Sequence, residues 1–255
     1  MHEFDESTDD LAWAIFRYAL DRVRTDPPLD GPRSHQELWE AVGQTITEEG
    51  LGGESALAAF ADHLAPACLS TDHPRFLSFV PGAPTNASVL FDLVVGASAM
   101  CATSWLEAAG TVYAENQALR WVADLVGLPE GAGGCFASGG TMGNLSALIA
   151  GRDHAMRRRE ADGSGRPVRW AVVASDGAHS SIDSAARVMD VDVLLATTGD
   201  DRRLRGEAVR AAIAARPEGT EVFAVVATAG TTNLGVVDAL GEVADAAAEH
   251  GAWFH

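Results

Sequence analysis

Three short polar segments of this 255-residue chain each follow an apolar run, and the first is rich in glycine. It reads Ser138-Gly-Gly-Thr-Met-Gly-Asn144 and precedes a helical pattern. Glycines let a backbone approach a ligand closely, and the free N–H groups and dipole of a helix N-terminus favour a phosphate group. The segment matches neither a P-loop nor a dinucleotide-binding fingerprint. It predicts either a phosphate-binding loop or a tight turn that binds nothing.

The other two segments are His179-Ser-Ser-Ile182 and Thr228-Ala-Gly-Thr-Thr232. Each follows a strand pattern, so we expect both at the carboxyl edge of a sheet, where α/β proteins bind ligands. An imidazole there can stack on an aromatic ring or exchange a proton near neutral pH, and a threonine hydroxyl can bond a ligand phenolate. The structural alternatives are that His179 Nδ1 caps the helix that follows and that the threonines only satisfy their own turn.

The net charge and the spacing of the cysteines and histidines exclude several classes of partner and site. A formal charge of −18 argues against a nucleic-acid or anionic-membrane partner. Cys68, Cys101 and Cys135 are widely spaced and predict buried, reduced thiols rather than a disulfide framework or a zinc site. No histidine shows metal-ligand spacing, so we predict no metal. The acidic N-terminus does not resemble a signal peptide, and no apolar run is long enough to span a bilayer, so we expect a cytoplasmic protein.

Two kinds of element must position these segments. Residues 1–72 read as a helical arm with patterns at 11–23, 34 onward through a Ser34/Glu37 capping box, and 54–65. Such an arm has too little core to stand alone, so we expect it to pack on something else, such as a partner subunit. A Pro/Gly loop over 73–84 separates it from two long apolar helical patterns at 88–102 and 108–126.

From Gly133 onward the pattern changes to short apolar runs that alternate with helices. Strands are predicted at 135–137, 170–174, 191–196, 222–227 and 252–255, and helices at 141–159, 180–188, 205–215 and 237–249. This alternation predicts an α/β fold with a mostly parallel sheet covered by helices on both faces.

The order of the segments resembles the group II pyridoxal-dependent decarboxylases, the family of aromatic L-amino-acid, glutamate and 2,4-diaminobutyrate decarboxylases. The resemblance runs from His73-Pro-Arg-Phe76 through Ser104-Trp105 and the three segments to the end of the chain. It implies the aspartate-aminotransferase-like fold (fold type I), pyridoxal 5'-phosphate as cofactor, an amino-acid substrate and a homodimer. It also implies that residues 73–255 are the N-terminal portion of the large cofactor-binding domain.

The resemblance assigns roles residue by residue. Gly139, Gly140 and Thr141 would hold the cofactor phosphate, with Asn144 assisting from the helix behind them. His179 would stack on the pyridine ring and help to protonate the carbanion after CO₂ leaves. Thr228 would lie near the phenolic oxygen of the ring. Phe79, Pro81 and Thr103 would line the substrate side, where we favour an aromatic L-amino acid.

The chain contains no lysine, because all 18 of its basic residues of the Lys/Arg type are arginines. The family binds its cofactor through a lysine Schiff base. In the family's next motif, His-Val-Asp-Ala, the first residue corresponds to His255, so the aspartate and the lysine are expected after the end of this chain. We therefore expect the N-terminal part of a longer enzyme, inactive by itself. Two alternatives stay open: another lyase or a desulfurase of the same fold, and a non-catalytic paralogue or partner subunit.

Overall fold

The computed structural model describes residues 4–79 and 82–255. The chain divides into two compact units, Met1–Ala109 and Gly110–His255. The expected domain boundary between residues 72 and 73 stays a prediction, since a division into compact units does not by itself assign a domain.

The first unit is helical. Its helices are α1 (Glu6–Arg24), α2 (His35–Val42), α3 (Gly53–Ala59) with a π-helical turn (Phe60–Leu64) and a 3-10 turn (Ala65–Ala67) after it, and α4 (Asn86–Ala97). The predicted capping box is confirmed, because Ser34 Oγ accepts the N–H of Glu37 while the Glu37 carboxylate accepts the N–H of Ser34. The helix predicted at 88–102 is shorter, since Ser98 ends it and Ala99 adopts a left-handed φ of 48°.

Helix α5 (Trp105–Leu125) contains the boundary between the two units. Ala108 interrupts it with non-helical angles, φ −146° and ψ 52°. The predicted start of the long helix at Ala108 coincides with this kink, and a short helical segment that begins at Trp105 precedes it.

The second unit is an α/β structure, as predicted. It contains α6 (Gly140–Ala161), β1 (Arg169–Ala174), α7 (Ser181–Met189), β2 (Asp192–Leu195), α8 (Gly206–Ala214), β3 (Thr220–Val225), α9 (Leu240–Glu249) and β4 (Trp253–Phe254). The strands pair in the order β2-β1-β3-β4, and every pair is parallel. All four carboxyl ends therefore lie at one edge of the sheet.

The sheet is buried on both faces. On one face α6 and α7 pack against Trp170, Val172 and Phe223, and on the other α8 and α9 pack against Ala171, Val173 and Val225. Leu148, Phe223 and Ile213 are almost completely buried, and burial of each such side chain contributes about 1.5–3 kcal/mol. This packing makes the sheet a rigid support for the loops at its carboxyl edge.

Three further predictions are wrong. Residues 135–137 form no strand, because the N–H of Phe136 donates to the Glu115 carboxylate instead of a strand ladder. The helix predicted from residue 237 begins at Leu240, because Val237 pairs with Ala229 in an antiparallel bridge.

The third concerns the cysteines. All three are free and exposed rather than buried, since they lie in irregular stretches outside the packed layers.

Over residues 4–79 and 82–255, no helix is both long enough and apolar enough to cross a bilayer.

Candidate active site

The structure brings the predicted segments of the second unit together at the carboxyl edge of the sheet. His179 follows the end of β1, Thr228 follows β3, and His255 follows β4. The strands are adjacent and parallel, so the loops after them are neighbours. The glycine-rich segment does not follow a strand in this structure, but it opens α6, which covers the same sheet.

The N-terminus of α6 is formed by two glycine residues, Gly139 and Gly140. Gly139 is the N-cap, and no described side chain caps the helix there. A Cβ placed on Gly139 or Gly140 would meet no atom within 4 Å among the described residues, so the backbone faces open space. The first N–H groups of a helix lack intrahelical partners and carry the positive end of its dipole. Gly139, Gly140 and Thr141 therefore fit a phosphate group.

His179 is held by the first turn of α7. Its Nδ1 accepts the backbone N–H of Ser181 at 3.1 Å and lies 2.9 Å from Ser181 Oγ. The helix-capping contact considered as the structural alternative is thus present. It engages one ring nitrogen only, and the ring itself is exposed and lines a cavity. Capping and a role at a ligand are therefore compatible.

Asn144 connects the helix that carries the glycine-rich segment with His179. Its Nδ2 donates to Ser181 Oγ at 2.8 Å, and its Oδ1 lies 2.9 Å from His255 Nε2. Burial lowers the pKa of His255 below its ordinary value of 6.5, because desolvation disfavours the charged form of the ring. A series of hydrogen-bonded side chains, His255–Asn144–Ser181–His179, therefore connects the end of β4 with α6 and α7.

Thr228 is fixed through its backbone by a buried carboxylate. The N–H of Thr228 donates to Asp238 Oδ2 at 2.7 Å, and the carbonyl of Thr228 accepts the N–H of Asp238 at 3.0 Å. The other oxygen of Asp238 accepts the N–H of Leu204 at 2.9 Å, and Asp238 is only 3% exposed. This carboxylate holds the loop after β3 against the loop that precedes α8.

A cavity of about 570 Å³ opens beside His179. Residues 176–180, Asp183, Arg202 and residues 231–234 line it. Gly177 packs closely on the third segment, since a Cβ there would lie 3.2 Å from Thr231 Cγ2. The turn before His179 and the loop after Thr228 therefore share one cavity wall.

The residues predicted for the substrate side lie in the first unit. Phe79 is 85% exposed and adopts a left-handed φ of 60°, and its ring centroid lies 6.4 Å from that of Phe76. Thr103 Oγ1 donates to Glu107 Oε2 at 2.5 Å, and together with Ser104 it lowers the pKa of that carboxyl. Pro81 lies outside the described residues. The substrate role of all three stays a prediction.

Sequence reasoning missed Asp238 and the linking role of Ser181. Ser181 stands in a quoted motif, but a serine after a histidine has no pattern that indicates its partners. Asp238 follows Thr228 by ten residues, a spacing without a known local meaning. In the part of the chain that the structure describes, no three His, Cys, Asp or Glu side chains are grouped to hold a metal ion.

Comparison with known proteins identifies the class of this site. The family model described as "Pyridoxal-dependent decarboxylase conserved domain" matches residues 37–255. The chain therefore belongs to the pyridoxal-dependent decarboxylase family, and the cofactor of this family is pyridoxal 5'-phosphate. The resemblance inferred from the sequence is confirmed.

Individual relatives agree with this assignment. The chain is 31% identical to an aromatic-L-amino-acid decarboxylase of Bacillus atrophaeus over 223 residues, 86% of this chain and 45% of the relative. It is 31% identical to an L-2,4-diaminobutyrate decarboxylase of Rhizobium meliloti (strain 1021), over 97% of this chain and 52% of the relative. The chain thus spans about half the length of the curated relatives it matches.

A solved structure confirms the predicted fold class. The structure of Oryza sativa TDC with PLP and tryptamine matches 99% of this chain and 58% of its own length, with a TM-score of 0.82 and 25% identity. The parallel sheet covered by helices agrees with the α/β fold class predicted from the sequence. The open N-terminus of α6 and the exposed His179 ring fit the phosphate and the aromatic ring of this cofactor.

Proposed function

We propose that the whole protein that carries this chain decarboxylates an L-amino acid to the amine and CO₂ with pyridoxal phosphate. The observation that carries the proposal is the hydrogen-bonded connection between Asn144 of α6, Ser181 and His179 after β1, and His255 after β4. A helix N-terminus with open backbone N–H groups, joined to a fixed imidazole through Asn144 and Ser181, suits this cofactor. The His73-Pro-Arg-Phe76 and Ser104-Trp105 segments favour a decarboxylase over the alternatives within the same fold, a different lyase or a desulfurase.

Each residue of the site has a proposed task. The bound cofactor supplies an electron sink for the charge left at the substrate Cα when CO₂ departs. The backbone N–H groups at Gly139 and Gly140 and the hydroxyl of Thr141 hold its phosphate. His179 would lie against the ring and would return a proton to Cα. Thr228 lies near the phenolic oxygen.

The covalent attachment of the cofactor cannot use a lysine of this chain, because the chain has none. The 255 residues therefore supply phosphate binding, ring orientation and a proton donor, and we propose that the lysine and the aspartate at the pyridine nitrogen are supplied from outside them. By themselves these residues are expected to be inactive.

We propose an aromatic L-amino acid as the preferred substrate. Two observations support this preference over a glutamate-type substrate: an aromatic-L-amino-acid decarboxylase is among the relatives at 31% identity, and Phe76 and Phe79 place two aromatic rings in the loop assigned to the substrate side. The diaminobutyrate decarboxylase matched at the same identity is the competing assignment.

The test is a panel of L-tryptophan, L-tyrosine, L-2,4-diaminobutyrate, L-histidine and L-glutamate, each given to the whole protein with pyridoxal phosphate. We expect one mole of CO₂ per mole of amine and the highest kcat/KM for an aromatic substrate. A preference for diaminobutyrate would overturn the substrate class. Removal of the amino group from a substrate without release of CO₂ would overturn the decarboxylase assignment. So would the absence of turnover with all five substrates.

We also propose that the whole protein is a homodimer, as the family resemblance implies. Helix α4 supports this proposal by exposing Phe91, Leu93 and Val94, which are 64%, 59% and 51% accessible. A surface of this kind requires a partner or another part of the protein to cover it. Sedimentation of the whole protein at twice the monomer mass is the expected result, and a monomer at micromolar concentration would contradict it.

A further inference from the structure

The amide of Asn144 has both of its ends occupied. Its Nδ2 lies 2.8 Å from Ser181 Oγ, and its Oδ1 lies 2.9 Å from His255 Nε2. An amide oxygen only accepts and an amide NH₂ only donates, so the two bonds have fixed directions. His255 Nε2–H donates to Asn144, and Asn144 donates to Ser181. An amide engaged in this way is directed at two side chains rather than at a phosphate.

The donor and acceptor in the next hydrogen bond, between Ser181 and His179, follow from the same reasoning. Ser181 Oγ accepts from Asn144, so its single proton remains free to donate. Its neighbour at 2.9 Å is His179 Nδ1, which also accepts the N–H of Ser181. A ring nitrogen that accepts an N–H bond carries no proton of its own. Both donors of Ser181 therefore converge on Nδ1, and the proton of the neutral ring lies on Nε2.

His255, at the other end of this hydrogen-bonded series of side chains, is anchored by the sheet. The N–H of His255 donates to the carbonyl of Val225 and its carbonyl accepts the N–H of Ala227, both at 2.9 Å. Ser181 is buried at 3% exposure in the first turn of α7. His255 is thus fixed by β3 and Ser181 by α7, and Asn144 joins these two side chains.

We propose that Asn144 is a positioning residue that, through Ser181, sets the tautomer and orientation of His179, with His255 fixing the orientation of its amide. The proposal rests on the proposed function for the role of His179, but its structural content concerns only the hydrogen bonds of this chain. It assigns Asn144 a task different from the phosphate contact expected from the sequence.

The test is ¹⁵N solid-state NMR of the whole protein with ring-labelled histidine. The signals of His179 are identified by their loss in the His179→Gln variant. The wild-type protein is expected to show an unprotonated, hydrogen-bonded Nδ1 and a protonated Nε2. A protonated Nδ1 in the neutral ring would overturn the proposal without any further variant.

Two variants test the roles of Ser181 and Asn144. In Asn144→Asp the carboxylate accepts the Ser181 hydroxyl proton, which is withdrawn from His179. In Ser181→Ala that proton is absent. Both are expected to shift the Nδ1 signal in the same direction, toward a ring nitrogen with one donor fewer. Asn116→Asp on α5 and Ser184→Ala on α7 make the same chemical changes at exposed positions and are expected to leave the signal unchanged.

Failure of the proposal and failure of the proposed function give different results. An unchanged Nδ1 signal in Asn144→Asp or in Ser181→Ala refutes the proposal that Asn144 acts on His179 through Ser181, even if the protein releases CO₂. If Asn144→Asp does not fold, the wild-type and Ser181→Ala spectra decide. In the active protein, Asn144→Asp is expected to lower kcat without changing the dissociation constant of pyridoxal phosphate, and a weaker affinity with unchanged kcat would return Asn144 to the phosphate site.

Discussion

His179 shows how one side chain can serve both the fold and the chemistry. Its Nδ1 is bound to the first turn of α7, and its ring lines the cavity at the sheet edge. The structural contact uses the nitrogen that the proposed proton transfer does not need. The imidazole is therefore held in one orientation by the helix that follows it, and its other nitrogen remains for a proton exchange.

His179→Phe in the whole protein separates these two tasks. Phenylalanine keeps a flat face for stacking, so the cofactor is expected to remain bound. It cannot deliver a proton, and general acid catalysis contributes about 10²–10⁴-fold, so kcat per bound cofactor should fall by at least about 10²-fold. If kcat stays normal and only the thermal midpoint falls, His179 acts as a helix cap and not in catalysis.

Thr141→Ala tests the placement of the phosphate. A hydrogen bond to a charged phosphate contributes on the order of 1.5–3 kcal/mol. Its loss should weaken pyridoxal phosphate binding by roughly tenfold to a hundredfold, with little change in kcat at saturation. The measurement is a cofactor titration followed by absorbance. An unchanged affinity would place the phosphate elsewhere.

His255 makes stability depend on pH. Burial lowers the pKa of its imidazole in the folded protein, while the unfolded chain regains the ordinary value of 6.5. Below pH 6.5 the unfolded state therefore binds the proton more readily than the folded state. The contribution of this residue is complete above that pH and is lost as the pH falls. In urea melts, the stability difference between wild type and His255→Gln should shrink from pH 7.5 to pH 5.5, and a constant difference would contradict the burial of this ring.

At the scale of elements, the sequence patterns located the layers of the second unit well. The runs that became β1 and β3 are continuous and apolar because both faces of the central sheet are covered, and this pattern is visible locally. Residues 135–137 have the same apolar character but no strand beside them, so they stay irregular. Strand formation depends on a neighbour that may be distant in sequence.

The site was only partly predictable for a related reason. Gly139, Gly140, Thr141 and His179 stand in short motifs whose chemistry can be read from adjacent residues. The Asn144 contacts join positions that are 37 and 111 residues apart. Such contacts follow from the packing of α6 on β4 and α7, which no local pattern specifies. The tautomer of His179 thus depends on elements far from it in the chain.

Gly151 tests this dependence on packing. A Cβ at this position of α6 would lie 2.8 Å from Cγ of the Trp253 indole in β4. Gly151→Ala should therefore push α6 away from β4, cost about 1–3 kcal/mol of overpacking, and lengthen the bond between Asn144 and His255. The measurement combines a urea melt with the His179 Nδ1 signal.

Gly143→Ala on the same helix is the matched control. An added Cβ there meets no atom within 4 Å, so alanine should stabilise α6 by about 0.5–1 kcal/mol through helix propensity. Equal effects of the two substitutions would show that close packing of α6 on β4 does not matter.

For the whole molecule, the presence or absence of a cofactor-binding lysine outside these 255 residues distinguishes an enzyme from a non-catalytic relative. If the whole protein is a decarboxylase, it should be yellow with pyridoxal phosphate, and borohydride should fix the cofactor to a lysine outside these 255 residues. Peptide mapping after reduction is the measurement. Absence of any pyridoxyl-lysine peptide, with the protein folded, would favour a non-catalytic partner.

We propose that the N-terminus of α6 and His179 bind one and the same cofactor molecule. A crystal structure of the whole protein with pyridoxal phosphate tests this most directly. We expect the phosphate at the backbone N–H groups of Gly139 and Gly140 and the Thr141 hydroxyl, with the pyridine ring against the His179 imidazole. A phosphate bound elsewhere, such as at Arg202 in the neighbouring cavity, or a ring remote from His179, would contradict it.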